Sequence, residues 1–336
     1  MATIKEIAEK LDVSISTVSK GLNGASDISA KTRQMVLDTA LEMGYTGKKG
    51  KNLFGKRICA VIVQLPYSNF NESGYEIISG FRLAAAEKNY QASVISLDEL
   101  KKAGSTYDKA MASLGYEGAF FIGLTDHHAY IKQFQSTHIP TVLFEKYVHN
   151  PMVSMICTDI TEGIYQCVEH LYQLGHRTIA FINGTENGMS SSLRRHGYEQ
   201  ALQDLNLPYH PELTASAPYY PPDKAKTYVA EFLKSGVTGI VCANDYIAAA
   251  VISEAALLGK RIPEDLSITG FDDIPLASYL NPGLTTINEN RQKLGHSALK
   301  TLDGLIQGDN LSVCMIHPTL IHRSSTGPVS SQSSIF

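Results

Sequence analysis

The 336-residue chain contains no tryptophan. Any aromatic platform for a ligand must therefore be built from tyrosine or phenylalanine. No apolar run approaches the roughly 20 residues that cross a bilayer. The opening segment MATIKEIAEKLDVS lacks the charged-then-apolar order of a secretory signal. The expectation is a cytosolic protein with no membrane contact. The five cysteines (Cys59, Cys157, Cys167, Cys242 and Cys314) are far apart, odd in number and without a C-x-x-C. Four sit in strand-like apolar stretches, which predicts buried reduced thiols and neither a disulfide nor a metal site. His127-His128 lacks the spacing or further partners of a metal pair. There is no G-x-x-x-x-G-K-[ST], no G-x-G-x-x-G after a strand and no G-x-S-x-G. The carboxylates of Asp272-Asp273 are neighbours along one strand end and point to opposite faces. No cofactor, no metal and no catalytic residue are expected, and so no enzyme.

Basic charge is scarce as well. Lys+Arg total 29 against 33 Asp+Glu, a net of −4, which on average weighs against a nucleic-acid binder. The charge is unevenly spread. Residues 1–57 carry ten Lys/Arg against six Asp/Glu, and the remainder nets −8. A small basic head on a large acidic body fits this split. With 43% hydrophobic and 18% charged residues, the chain is globular, and its length suits two or three units.

Three short helical patterns come first. Thr3 with Glu6 reads as a capping box before Ile4, Ile7, Ala8 and Leu11 on one face. Ser14 caps a second helix, Ile15 to Leu22, stopped by Asn23-Gly24. Ser29 opens a third, from Ala30 to Met43. Residues 46–57, TGKKGKNLFGKR, have the composition of a connector, with three glycines and little apolar periodicity. Beyond them, apolar runs such as Ile58–Leu65, Thr141–Phe144 and Leu266–Phe271 alternate with amphipathic stretches such as Ile160–Leu174 and Asp223–Lys234. About ten strand candidates of this kind predict two parallel sheets in tandem, with ligands in the crevice at their carboxyl ends. The last residues, SSTGPVSSQSSIF, read as a disordered tail.

Ile7-Ala8-x-x-Leu11-x-Val13-Ser14-x-Ser16-Thr17-Val18-Ser19 reads as a helix-turn-helix. Leu11, Val13 and Val18 form its small core, and the second helix starts at a serine, where a phosphate would be well placed. The segment ATIKEIAEKLDVSISTVSKGLNG resembles the DNA-binding head of the LacI/GalR family of bacterial transcription repressors. The likeness continues through Ser29-Ala30-Lys31-Thr32-Arg33, Leu41-x-x-Gly44-Tyr45 and Asp159-x-x-x-Gly163. His170-Leu171-x-x-Leu174-Gly175-His176-Arg177 and Arg194-x-x-Gly197-Tyr198 follow. Ala243-Asn244-Asp245, Gly270-Phe271-Asp272-Asp273 and Leu284-Thr285-Thr286-Ile287 complete the ordered series over residues 2–323.

The resemblance implies an α/β architecture. Residues 1–45 would be a small all-α helix-turn-helix head and 46–57 a hinge. Residues 58–324 would be a two-lobed, periplasmic-binding-protein-like domain with two parallel sheets, and 325–336 the tail. It implies a repressor that binds a palindromic double-stranded operator as a homodimer. A small-molecule effector, a sugar first of all, would bind between the lobes and control operator affinity. A purine or a partner protein in the effector's place is the alternative, ahead of a sugar receptor or a sugar-modifying enzyme. In the major groove the matching positions are Ile15, Ser16 and Lys20, with Thr17, Ser19 and Asn23 toward the phosphates; Thr3 and Ser14 are counted with them as DNA-binding positions. The connector departs from the family: Gly47-Lys48 replaces Pro-Asn, Lys51 replaces Ala, and Phe54 falls at the minor-groove wedge. Either a marginal hinge helix folds on DNA, or an extended linker adds charge through Lys48 and its neighbours. The effector positions implied are Arg194, Asn244 and Asp272, with Tyr220 as the pocket aromatic. Tyr67, Phe70 and Glu145 would come from the other lobe. Helix capping is the competing role for Asn244-Asp245, and Asp245 is assigned mainly to it.

Overall fold

A computed structural model describes residues 3–23, 25, 27–43, 56–63, 68, 73–125, 128–185 and 188–329. The connector positions Lys48 and Phe54, the first-lobe positions Tyr67 and Phe70, and His127 lie outside the described residues.

The head consists of α1 (Ile4–Leu11), α2 (Ile15–Asn23) and α3 (Ala30–Glu42). Ile7, Ala8, Val18, Val36 and Ala40 are buried at its centre, with Ile4, Leu11, Val13, Leu22 and Met43 packed around them. The core is therefore wider than the expected Leu11/Val13/Val18 set and draws on all three helices. Gly21 is what lets α2 and α3 cross closely, since a Cβ there would stand 3.0 Å from Val36.

The body alternates strands and helices. Its first half contains β1 (Arg57–Ile62), α4 (Ser73–Glu87), β2 (Gln91–Ser96), α5 (Leu97–Ala103), α6 (Tyr107–Leu114), β3 (Gly118–Ile122), α7 (Ala129–Phe134), β4 (Thr141–Phe144) and β5 (Val153–Thr158). Then come α8 (Ile160–Gln173), β6 (Ile179–Asn183), α9 (Met189–Asp204), β7 (Thr214–Ser216), α10 (Asp223–Lys234), β8 (Gly239–Cys242), α11 (Asp245–Leu257), β9 (Ser267–Phe271), α12 (Pro275–Tyr279) and β10 (Thr285–Asn288). The chain ends with α13 (Arg291–Gln307), β11 (Val313–Ile316) and β12 (Thr319–Ile321).

Two six-stranded sheets result, ordered β11-β5-β4-β3-β1-β2 and β12-β10-β9-β8-β6-β7. The first is parallel throughout. In the second, β12 runs antiparallel to β10, a departure from the all-parallel expectation. The chain passes between lobes three times, after β5, between β10 and α13, and between β11 and β12. Helices cover both faces of each sheet, so its strands are apolar on both sides. In β1, Ile58, Ala60 and Ile62 pack against α4 and α13, whereas Cys59 and Val61 pack with Tyr107, Phe121 and Phe134 on the opposite face. This alternation of faces is the period-2 geometry of a strand buried on both sides.

The two long helices of the first lobe meet at glycines. A Cβ on Gly295 of α13 would lie 1.9 Å from the Ile77 carbonyl oxygen, and one on Gly80 of α4 would lie 2.0 Å from that of Gln292. Four cysteines are buried and Cys314 is partly so, all five free. Burial pushes the Cys157 thiol up to about 11. No helix among the described residues is long and apolar enough to cross a membrane.

The expectation of a disordered tail fails for its first residues. Ser325 is fully buried. Its Oγ donates to the Ile268 carbonyl at 2.6 Å and accepts the Thr285 N–H at 2.8 Å. Gly327 N donates to Ser267 Oγ, and Val329 N donates to the Leu174 carbonyl. A serine-rich composition looks solvated in sequence, but here its hydroxyls and amides satisfy groups at the buried end of the second sheet.

Candidate functional site

Two regions gather the singled-out residues. In the head, Thr3 is the N-cap of α1. Its Oγ1 accepts the Glu6 N–H at 3.3 Å, and Glu6 Oε2 accepts the Thr3 N–H at 2.7 Å, a complete capping box. Ser14 Oγ accepts the Thr17 N–H at 3.0 Å and lies 2.8 Å from Thr17 Oγ1. Ser14, Ile15, Ser16 and Lys20 are exposed, and Thr17 and Ser19 half-buried. Because Val18 faces inward, Ser16 and Lys20, four residues apart, share the opposite face of α2, and Ile15 is exposed at the start of the helix. Asn23 closes α2, and its side chain lies outside the described residues. Lys20 has a partner that sequence reading missed: its Nζ stands 2.6 Å from Asp27 Oδ2. That hydrogen bond holds the Asp27 carboxyl below its usual range.

In the body, a cavity of about 480 Å³ lies between the lobes, lined by Ile77, Phe144, Glu145, Ser190, Arg194, Tyr219, Asn244, Asp272, Glu289 and Arg291. Four of the expected positions, Glu145, Arg194, Asn244 and Asp272, thus converge. Glu145 and Asp272 follow strand ends, Asn244 caps α11 and Arg194 sits in the second turn of α9, all at the carboxyl edges of the parallel strands. Glu145 follows β4 with φ 57°, and Asp272 follows β9 with φ 106°. Both are in the left-handed region that non-glycine residues avoid, a conformation that surrounding structure must enforce. For Asp272 the anchor is its neighbour. Asp273 accepts from Arg323 Nη2 at 2.7 Å and from Asn288 Nδ2 at 2.8 Å, which leaves Asp272 turned into the cavity.

Arg194, 6% exposed, donates from Nη1 to the Tyr219 hydroxyl at 2.9 Å. Its guanidinium carbon stands 4.8 Å from the Phe271 ring centroid. Its Nε–H has no acceptor among the described residues. Arg291, the first residue of α13, crosses from the first lobe to the second: its Nη2 is 3.4 Å from Asp272 Oδ1 and 2.9 Å from Glu289 Oε2. Withdrawal from water and the nearby Glu289 push Glu145 up to about 7. Burial and Glu289 push Asp272 up too, against the pull of Arg291 and Arg194.

The aromatic expectation shifts by one residue. Tyr220 is 75% exposed and stands edge-on to Tyr246 at 5.4 Å; Tyr219 lines the cavity. Gly184 makes room for it, since a Cβ there would fall 2.0 Å from the Tyr219 ring. Either tyrosine of a Tyr-Tyr-Pro-Pro run satisfies the motif, and the alternation that places one inward is set by the loop's tertiary path. The capping assignment also changes hands. Asn244 is the N-cap of α11, its Oδ1 accepting the Ile247 N–H at 2.9 Å while it lines the cavity. Asp245 is fully buried instead, accepting from Ile274 N at 2.8 Å and from Thr286 Oγ1 at 2.5 Å. Glu289 and Arg291 were not anticipated. Their signal was positional, just past β10 at a lobe crossing. A larger cavity of about 570 Å³ lies outside α4, lined by Tyr75, Ile78, Arg82 and Leu83 among others. Among the described residues, its lining brings no second charged group to Arg82.

Residues 3–47 match the family described as bacterial regulatory proteins, lacI family, and residues 168–326 match the periplasmic binding protein-like domain. The chain belongs to the LacI family. Among its relatives is the HTH-type transcriptional regulator DegA of Bacillus subtilis (strain 168), 29% identical over 97% of this chain and 98% of that protein. Another is the HTH-type transcriptional repressor CytR of Escherichia coli (strain K12), 28% identical over 92% and 91%. The LacI-family fold recurs in the lac repressor dimer bound to operator and the anti-inducer ONPF, with a TM-score of 0.67 at 23% identity, covering 97% of this chain and 99% of that one.

Proposed function

We propose that this LacI-family chain is a DNA-binding transcriptional repressor that works as a homodimer, its operator affinity set by a small polyhydroxylated molecule held between the lobes. The observation that carries the reading is one polypeptide that joins an outward-facing Ile15/Ser16/Lys20 surface to an interlobe cavity lined by two guanidiniums, three carboxylates and an amide. A single head offers too few contacts for tight specific binding, whereas two heads on a palindrome double them. In this reading Lys20 reaches a guanine edge, Ile15 and Ser16 face the base floor, and Thr3, Ser14, Thr17 and Ser19 approach phosphates. Vicinal hydroxyls donate to Asp272 and Glu145 and accept from Arg194, with Asn244 beside them and Tyr219 as the aromatic wall.

Control follows from the position of Arg291. It ties α13 of the first lobe to Asp272 of the second. A ligand that engages Asp272 competes with that tie and resets the angle between the lobes, and with it the spacing of the two heads.

The test is a selection from randomised palindromes with the full-length protein, followed by anisotropy titrations with and without candidate effectors. A dimeric footprint on an enriched palindrome, with affinity altered by at least one small molecule, is the expected result. Failure to enrich any sequence sinks the repressor reading. Enrichment with no response to sugars or purines moves control to a partner protein.

A further inference from the structure

We propose that the interlobe cavity selects an uncharged or cationic polyol and turns away its phosphorylated or carboxylated counterparts. This rests on the effector reading above and narrows its ligand by charge.

Three carboxylates, Glu145, Asp272 and Glu289, line the cavity against two guanidiniums, Arg194 and Arg291. Arg291 is already committed, with Nη2 2.9 Å from Glu289 and 3.4 Å from Asp272, and Nε donating to Glu289 at 3.2 Å. An incoming anion would have to take it from both. Arg194 is committed through Nη1 to Tyr219 and lies against the Tyr219 and Phe271 rings. Its buried Nε–H has no acceptor among the described residues. That N–H suits a hydroxyl or ring oxygen. A phosphate or carboxylate that took the guanidinium fork would lie beside the carboxylates of Glu145, Asp272 and Glu289, which line the same cavity.

The acidic side has the opposite character. Asp272 is held in its left-handed turn with an oxygen toward the cavity, and Glu145 faces it from the other lobe. Glu289 and Asp272 act on Glu145 in the same sense, opposed by Arg194 and Lys146. Glu76 adds to the acidic field at Arg291. Three carboxylates face two guanidiniums, and burial together with their mutual repulsion lifts the affinity of Glu145 and Asp272 for protons. An O–H or N–H donor relieves that repulsion and an ammonium relieves it further, whereas an added anion compounds it.

The experiment is calorimetry and thermal shift on the full-length protein with matched sets: neutral hexoses and disaccharides, the corresponding amino sugars, uronates and sugar phosphates. The expected hit is neutral or amino, with its anionic counterpart bound at least ~100-fold more weakly. Glu289→Gln with Asp272→Asn should shrink that gap by about tenfold or more. An anionic ligand that binds more tightly than its neutral counterpart, and is lost in Arg194→Met, overturns the charge selection and leaves the effector cavity in place. If no class binds, or binding ignores Arg194→Met, the effector reading itself fails.

Discussion

Arg194→Met separates a binding role from a structural one. In the unliganded protein the substitution removes a charge-assisted bond to Tyr219, worth about 1.5–3 kcal/mol. It also removes the contact with the Phe271 face, worth about 0.5–2 kcal/mol. Against this, it eliminates a buried Nε–H with no acceptor, whose desolvation costs about 1–3 kcal/mol. It also removes a buried guanidinium that has no carboxylate within ion-pair distance among the described residues. Methionine fills most of the aliphatic stem's space. The losses and gains nearly offset, so unliganded stability should change by less than ~2 kcal/mol, a few degrees in Tm. Ligand binding has no such offset. A lost charged hydrogen bond of ~1.5–3 kcal/mol lowers affinity by roughly 10- to 150-fold. Thermal unfolding with and without the effector measures both quantities on one sample, since a ligand at a hundredfold excess over Kd stabilises by about 2.7 kcal/mol. If the variant loses more than ~4 kcal/mol unliganded while its effector affinity is intact, Arg194 is a packing element and the cavity has been misassigned.

Three further substitutions test other parts of the molecule. Gly295→Ala gains about 1 kcal/mol of helix propensity, but its Cβ would meet the Ile77 carbonyl oxygen at 1.9 Å. The helices must part, and a net loss of about 1–3 kcal/mol in urea unfolding is expected; a neutral result would mean that α4 and α13 are looser than they stand here. Asp245 is pushed up to about 8 by burial first and by Asp272 second. The native state therefore keeps a proton that the unfolded chain releases near its ordinary value, about 3.9. This contribution is full below about pH 4 and is lost as pH rises through 8, at up to ~1.4 kcal/mol per unit. Asp245→Asn should flatten that slope in denaturation curves between pH 5 and 8, and an unchanged slope would place the titration elsewhere. Asp27→Asn frees Lys20 from its partner and removes a negative charge near the DNA, so operator affinity should rise. Anisotropy titrations over a range of salt would show this, and weaker binding would mean that Asp27 orients Lys20 for its contact.

The head was readable nearly residue by residue, because capping boxes, helix stops and a 3.6-residue apolar period are local. Thr3, Glu6 and Ser14 act within a few residues of themselves. The strand–helix alternation was readable for the same reason: a strand covered on both faces is an apolar run whatever lies beside it. Short polar strands such as β10, TTIN, were missed because their burial comes from neighbours distant in sequence. Contacts across long separations also escaped. Lys20 with Asp27, Arg291 with Asp272, and Ser325 with Ile268 depend on where a loop or tail returns. The identity of the residues at the strand ends was thus set by local pattern. Their division of labour came from packing: Tyr219 inward and Tyr220 outward, Asn244 capping and Asp245 buried. A side chain's chemistry belongs to its residue type, but its direction, partners and charge state belong to the three-dimensional surroundings that the crossing lobes create.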